Sequence, residues 1–257
     1  MLITDVHAFI QHGYRDFIPH LSIDCAILGY HDGILKILLT AWPDLDGWCL
    51  PGGYISRTES IDHAAQRILE ERTGLADVFL QQYHTFGQMN RVLPLEEKPE
   101  FHDNPLYRAI RGSWLDARTV SIGYYALIDF SRATPRPDEF SRECRWWDIR
   151  ELPPLLFDHP LMIKTALDTI RKDLQVHPVG LQLLPEEFTV PELQRLYETL
   201  LNRTLDRRNF MKKMQQLGIL IRHDRTRSIG SHRSPYLYSF DEERYREVLT
   251  DQRNMSF

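Results

Sequence analysis

The chain has 257 residues, 42% of them hydrophobic and 26% charged, with a formal net charge of −5. That length suits two domains better than one. No apolar run approaches the roughly 20 residues that span a bilayer, and the opening stretch Met1 to His7 lacks the basic and apolar regions of a secretory leader, so a cytoplasmic protein with no membrane partner is expected. Cys25, Cys49 and Cys144 are few and scattered, which fits reduced thiols better than a disulfide framework or a zinc site.

Residues 1–19 show no clear periodicity and read as a tail or an extra helix. Leu21 to Leu28 and Ile34 to Leu39 read as two strands joined by a turn at His31-Asp32-Gly33. Trp48 to Gly53 is a short strand entering a tight turn. A helix follows, capped by Thr58 or Ser60, with Ile61, Ala64, Ala65, Ile68 and Leu69 on its apolar side and Gly74 ending it. Val78 to Gln88 and Val120 to Phe130 are strand-like. The Pro- and charge-rich residues 90–118 between them are too long for an ordinary hairpin loop, and read as an ordered insertion or a flexible lid. Arg145 to Asp148 reads as a last strand. Asp158-His159-Pro160 opens a helix to about Leu174.

The remainder changes character. Thr189 caps a helix that turns Val190, Leu193, Leu196, Tyr197 and Leu200 inward. After a short turn, Asp206 caps a second helix that stops at Gly218. Ile219 to Ile221 and Tyr236 to Phe240 flank a basic hairpin tip, Arg222 to Arg233. Helix, turn, helix and hairpin is the order of a winged helix-turn-helix. The charge follows suit: residues 1–174 carry 18 Lys+Arg against 25 Asp+Glu, whereas residues 203–233 carry 9 basic and 2 acidic groups. A basic helix alone is most often a solvated face. Between a capped helix and a basic wing it reads as a recognition helix, with Arg207, Arg208, Asn209, Lys212 and Lys213 at its start and outer face. Arg and Asn suit guanine and adenine edges, and the Lys residues suit phosphates; Arg225, Arg227, His232 and Arg233 of the wing would meet backbone or minor groove.

Gly52-Gly53-Tyr54-Ile55-Ser56-Arg57-Thr58-Glu59 and Arg67-Ile68-Leu69-Glu70-Glu71-Arg72-Thr73-Gly74-Leu75 resemble the Nudix box, G-x5-E-x7-R-E-U-x-E-E-x-G-U with U bulky and aliphatic. Gly53, Glu59, Arg67, Glu71 and Gly74 fall in register, and Glu70 lies beside them. Ile68 and Arg72 stand where the family has metal-holding glutamates. Positions 68, 71 and 72 share one helix face. Three carboxylates there would hold a divalent cation. An apolar side chain and a fixed guanidinium remove a ligand and oppose the ion. At an effective dielectric of about 20, unit charges about 4 Å apart interact by roughly 4 kcal/mol, and a divalent ion would feel twice that unless Arg72 turns away.

Both halves together resemble the Nudix-related transcriptional regulators of the NrtR type, a Nudix-like sensor followed by a winged helix. The likeness runs through Phe157-Asp158-His159-Pro160, Leu183-Leu184-Pro185-Glu186-Glu187-Phe188-Thr189 and Arg208-Asn209-Phe210. It implies an α+β chain, a Nudix α/β/α sandwich with a mixed sheet over residues 1–174 and a winged helix over 175–257. It also implies a homodimer on two-fold operator DNA, with the winged helix as reader and the sensor domain taking a small-molecule effector. Effectors in the family are ADP-ribose or pentose sugars. The strand-end Lys-Arg of the family reads Thr40-Ala41 here, and with the altered metal site this leans toward a pentose or sugar phosphate. His20, Asp24 and Trp48 are the polar and aromatic groups expected near it. No cofactor and no catalytic residue are expected. Two other readings stay open: a Nudix hydrolase acting on a nucleoside diphosphate derivative such as ADP-ribose, and a catalytically dead protein-interaction module.

Overall fold

The computed structural model describes residues 5–43, 46–76, 78–89, 91, 104–174, 178–181, 183–228 and 234–250. Contacts divide the chain into two compact units. The first gathers residues up to Gly29, then Lys36–Leu127 and Arg132–Ala166; the second gathers Tyr30–Leu35, Ile128–Ser131 and everything from Leu167 onward. Helix α4, His159–Asp173, contributes to both.

The first unit opens with a helix, α1, Val6–His12, started by the Asp5 carboxylate accepting from Ala8 N–H and stopped at Gly13. Strand β1, Phe17–His31, is the spine of a seven-stranded sheet, flanked by β2 (Ile34–Ala41) on one side and β6 (Val120–Asp129) on the other. Beyond them lie β3 (Trp48–Cys49) and β5 (Leu80–Phe86); β4 (Gly52–Ser56) pairs with β1, and β7 (Glu143–Asp148) with β2. β1 starts earlier than the apolar alternation suggests. It carries a register shift between Phe17 and Ser22, and His20 sits inside that irregularity with φ +66°. β7 is longer than read because β2 pairs with it from Lys36 to Ala41.

Helix α2, Ile61–Thr73, is capped by Ser60, whose hydroxyl accepts from His63 N–H; Thr58 bonds Ser56 instead. Gly74 closes it at φ +72°. Ala64, Ala65, Ile68 and Leu69 are buried as the pattern requires, while Ile61 is exposed. The start of β4 is closely packed: a Cβ on Gly52 would lie 2.4 Å from Asp24 Oδ1 and 2.8 Å from the Ile23 carbonyl oxygen, which leaves no room for it, and one on Gly53 would press on Ile68 Cδ1 at 3.2 Å. Of the insertion, the described part holds a short helix, α3, Pro105–Ile110.

The second unit contains β8 (Phe188–Thr189), α5 (Val190–Leu201), α6 (Arg207–Leu217), β9 (Leu220–Thr226), β10 (Tyr236–Phe240) and α7 (Glu242–Thr250), with the strands ordered β8-β10-β9. α5 begins with a reciprocal capping box between Thr189 and Glu192, and the five residues read as inward-facing are all buried. α6 starts at Asp206, whose carboxylate accepts from Asn209 N–H, and ends at Gly218 with φ +65°. β9 runs five residues further than the apolar run, to Thr226, so Arg222 and Arg225 lie on the strand and not at the hairpin tip. His232 and Arg233 lie outside the described residues. The tip of the first hairpin also belongs to this unit: Arg195 of α5 lies 3.9 Å from the Asp32 carboxylate, and the Thr199 hydroxyl 3.4 Å from the Gly33 carbonyl.

Candidate functional site

The box helix brings its charged groups together, but only onto one another. Arg67 donates to both Glu59 oxygens, at 3.1 and 2.8 Å, and to the Tyr54 carbonyl at 2.9 Å, and lies 3.5 Å from Glu71. Burial would raise the Glu59 carboxyl. Hydrogen bonds from Arg67 and from Ser56 N–H outweigh it and hold the group below its ordinary range. Arg72 is buried, hydrogen-bonded to Asp138 and 3.9 Å from Glu71. The guanidinium that the sequence sets against a cation is therefore turned into a buried ion pair with a residue 66 positions later. Ile68 is fully buried beside Gly53, and Glu70 is exposed.

These residues do not fit a divalent cation: one ligand position is a core isoleucine, another is a committed arginine, and Glu59 and Glu71 already face Arg67. Among the described residues no group of three or more His, Cys, Asp or Glu is placed to hold a metal ion.

The three residues read as effector contacts have separate surroundings. His20 is exposed on the β1 irregularity. Trp48 packs edge-on against Trp147 at 5.0 Å, with the Arg145 guanidinium 4.7 Å above its ring. Asp24 is buried in a polar cluster that the sequence did not disclose. Ser121 Oγ donates to it at 2.5 Å, and Arg91 and His159 lie 3.7 and 3.8 Å away. Arg91 also grips both Asp158 oxygens, at 3.0 and 3.1 Å, and the Thr119 carbonyl. His159 Nδ1 accepts Leu50 N–H at 2.8 Å. Burial pulls the imidazole below its ordinary range, Asp24 and Asp158 opposing this without reversing it. A neutral ring accepting at Nδ1 carries its proton on Nε2. The first turn of α4 is thus tied to β1 and to the one described residue of the early insertion.

In the winged helix, Arg207, Arg208, Asn209 and Lys212 are exposed at the start and outer face of α6, and Lys213 is half-buried. Phe210 and Met214 turn inward, Phe210 meeting Tyr197 of α5 edge-on at 5.4 Å. The wing arginines are more engaged than their sequence suggests. Arg225 pairs with Glu187, and Arg227 pairs with Glu192 at 2.9 Å and donates to the Glu187 carbonyl at 2.8 Å. Arg227 thereby braces the capping box of α5.

Comparison with known proteins places this geometry. The NUDIX domain family matches residues 19–166, and the NrtR DNA-binding winged helix domain matches residues 180–240. A protein of Acinetobacter baylyi, described as an ADPR responsive transcriptional repressor, is 28% identical over 229 residues, covering 86% of this chain and 82% of that one. The crystal structure of Shewanella oneidensis NrtR is similar with a TM-score of 0.67 at 27% identity, covering 88% of this chain and 96% of that one. The same protein complexed with a 27mer DNA gives 0.67 at 26% identity, covering 88% and 95%. The α+β class and the order of a Nudix domain before a winged helix hold. With both halves matched in that order, the chain belongs to the NUDIX domain family, in the NrtR-type branch that carries a winged helix behind the Nudix domain.

Proposed function

We propose that the protein is an effector-responsive, DNA-binding transcriptional repressor, that its effector is ADP-ribose, and that its Nudix domain senses without hydrolysing. The observation that carries this is the state of the box. Arg67 and Arg72 engage the carboxylates Glu59, Glu71 and Asp138, and a buried Ile68 fills a ligand position, on a chain that also presents an exposed basic recognition helix. The leaning toward a pentose rested on Thr40-Ala41 and the altered metal site. The description of the Acinetobacter baylyi relative favours ADP-ribose instead. The protein acts in the cytoplasm as a homodimer, since paired winged helices suit a two-fold operator. Arg207, Arg208 and Asn209 read bases, while Lys212, Lys213 and the wing meet phosphates.

An effector regulates only if it binds the DNA-competent and DNA-incompetent arrangements differently. Helix α4 is the transmission element: its first turn is anchored through His159 to Leu50 and to Asp24 of β1 and through Asp158 to Arg91, and its later turns belong to the second unit. A tenfold loss of operator affinity needs about 1.4 kcal/mol of coupling, and operator must weaken effector binding by the same factor.

The test is operator binding by gel shift at fixed salt, with ADP-ribose, arabinose or a pentose phosphate added. ADP-ribose is expected to weaken binding at least tenfold. No effect of ADP-ribose at millimolar concentration would overturn the effector, and an effect of a pentose alone would restore the sugar class. The hydrolase reading keeps one support, the exposed Glu70 and half-exposed Glu71. Turnover of ADP-ribose with Mg²⁺ or Mn²⁺, abolished by Glu71→Gln, would establish it.

A further inference from the structure

Resting on the reading of the second unit as a DNA reader, Arg225 and Arg227 look like equivalent basic groups of the wing. Their surroundings are not equivalent. The Arg225 side chain is 67% exposed and pairs with the Glu187 carboxylate. A surface pair of this kind is worth little, so an arriving phosphate can take the place of Glu187.

Arg227 is held at both ends. Its backbone N–H donates to the Pro235 carbonyl at 3.0 Å, which ties it to the residue leading into β10. Its guanidinium donates to both Glu192 oxygens, at 2.9 and 3.2 Å, and to the Glu187 carbonyl at 2.8 Å. Three bonds from one planar group fix its orientation. Glu192 is itself committed. It is the third residue of α5, and its Oε2 accepts from the Thr189 N–H at 2.6 Å and from the Thr189 hydroxyl at 2.9 Å. Thr189 is fully buried and pairs with Leu237 of β10. The wing, the three-stranded sheet and the first turn of α5 therefore meet at one carboxylate. Drawing Arg227 onto a phosphate would break three hydrogen bonds and leave Glu192 with its neutral capping donors alone.

The far end of α5 holds the turn that starts α6. The Glu198 carboxylate accepts from the Leu205 N–H at 2.8 Å, and the Gln194 amide donates to the Leu205 carbonyl at 2.9 Å. The next residue, Asp206, caps α6. Midway, Tyr197 packs on Phe210 of α6. A shift at the start of α5 is therefore carried to Asp206 and to Arg207, Arg208 and Asn209 behind it. Base contacts tolerate such shifts poorly, because they depend on side chains held in place by the residues around them.

We infer that Arg227 is a positioning residue for operator recognition. It ties the wing to the first turn of α5 and, through α5, sets the seat of the recognition helix. Of the two arginines, Arg225 is the one that meets phosphate. Arg227 thus contributes to sequence discrimination without touching DNA, and Glu192 is its partner in that role.

The experiment uses the full-length protein and two duplexes: one selected by the wild-type chain from a random-sequence pool, and one of the same length and composition in scrambled order. Gel shifts give the ratio of the two affinities, which an unfolded fraction leaves unchanged because it lowers both alike. Arg227→Ala is expected to lower that ratio about tenfold, the scale of one misplaced base contact, with the salt slope on the scrambled duplex unchanged. Arg225→Ala is expected to do the reverse, lowering the slope and keeping the ratio. In a Glu192→Gln chain, where the cap survives and the charge is gone, the Arg227→Ala change is expected to cost only about threefold, because the two residues share one network. A wild-type ratio in Arg227→Ala overturns the inference. So does a slope that falls by about one with both duplexes weakened alike, the mark of a phosphate contact. A full tenfold loss in the Glu192→Gln chain overturns it too, by taking Glu192 out of the path. If the wild-type protein selects no duplex, the DNA-binding reading itself falls and Arg227 loses this role with it.

Discussion

Helices α2 and α6 are built to the same local plan and put to opposite uses. Each has a polar N-cap accepting from the N–H three residues on, Ser60 and Asp206, and each ends on a glycine with positive φ, Gly74 and Gly218. In α2 the two arginines close on internal partners: Arg67 on Glu59 and Glu71, Arg72 on Asp138. In α6 they point out: Arg207, Arg208 and Lys212 are exposed, and among the described residues no ion pair engages them. A charge that has found a buried partner contributes to folding and is lost to ligands. A charge left in water keeps its capacity for a partner that comes from outside. The same motif position can therefore change from chemistry to architecture by acquiring one carboxylate elsewhere in the chain.

The comparison is broken most severely at α6. Replacing Arg207 and Arg208 together by Ala is expected to cost about 2–6 kcal/mol of specific operator binding, from about 1–3 kcal/mol for each two-point contact to guanine, with folding untouched. Wild-type gel shifts from the double variant would show that the exposed charges face no base.

Next in size is α2. Asp138→Ala leaves the buried Arg72 with only the longer Glu71 contact at 3.9 Å, which costs about 3 kcal/mol or somewhat less, given that Asp138 is partly exposed. A denaturant midpoint equal to wild type would mean that the pair stabilises nothing. The contrast also predicts that Ile68→Glu with Arg72→Glu restores no metal site by itself, because the new carboxylate at 72 would face Asp138. Metal binding by that double variant, read by calorimetry with Mn²⁺, would contradict this.

A pH series sharpens the picture at the anchor of α4. His159, faced by Asp24, Asp158 and Arg91, is held below its ordinary 6.5 by burial. Below about pH 6.5 the unfolded chain binds a proton that the folded protein resists, so stability is full above that pH and declines as pH falls toward the lower folded value. His159→Asn should flatten this decline, and an unchanged pH profile in that variant would assign the acid sensitivity elsewhere. The smallest effect belongs to single phosphate contacts. Lys212→Ala is expected to lower the salt slope of operator binding by about one. Arg225→Ala should lower it by less, because Glu187 already offsets its charge. Equal slopes for both variants would remove the distinction between engaged and exposed cations.

Local chemistry was legible in the sequence, and long-range partnership was not. The caps at Thr189 and Asp206, the stop at Gly218 and the buried stripe of α5 follow from spacing alone, because each is satisfied within a few residues. Ile68 and Arg72 are visible as departures from the box. That Arg72 turns to Asp138 depends on a loop 66 positions away, which no periodicity marks. Asp24 stands out in the sequence as a carboxylate on an otherwise apolar strand. The partners, Ser121, Arg91 and His159, come from three separate stretches. The seven residues of α1 give too little pattern to decide between a tail and a helix. Helix α7 carries a local signal that the sequence analysis missed, Asp241 capping it by accepting from Arg244 N–H.

The division of the chain bears on how its parts could be exchanged. The second unit is not encoded by one continuous stretch: it includes Tyr30–Leu35 and Ile128–Ser131, and Asp32 and Gly33 of the first hairpin rest on Arg195 and Thr199 of α5. A Cβ on Gly33 would fall 2.6 Å from Arg195 Cδ, so that turn and that helix have to vary together. A recombination event that moved the C-terminal segment onto another sensor would leave the hairpin tip behind and bare the face of α5 that it covers. Exchange of reader domains between such proteins is therefore expected to succeed only when the turn at 30–35 travels with the helix it touches.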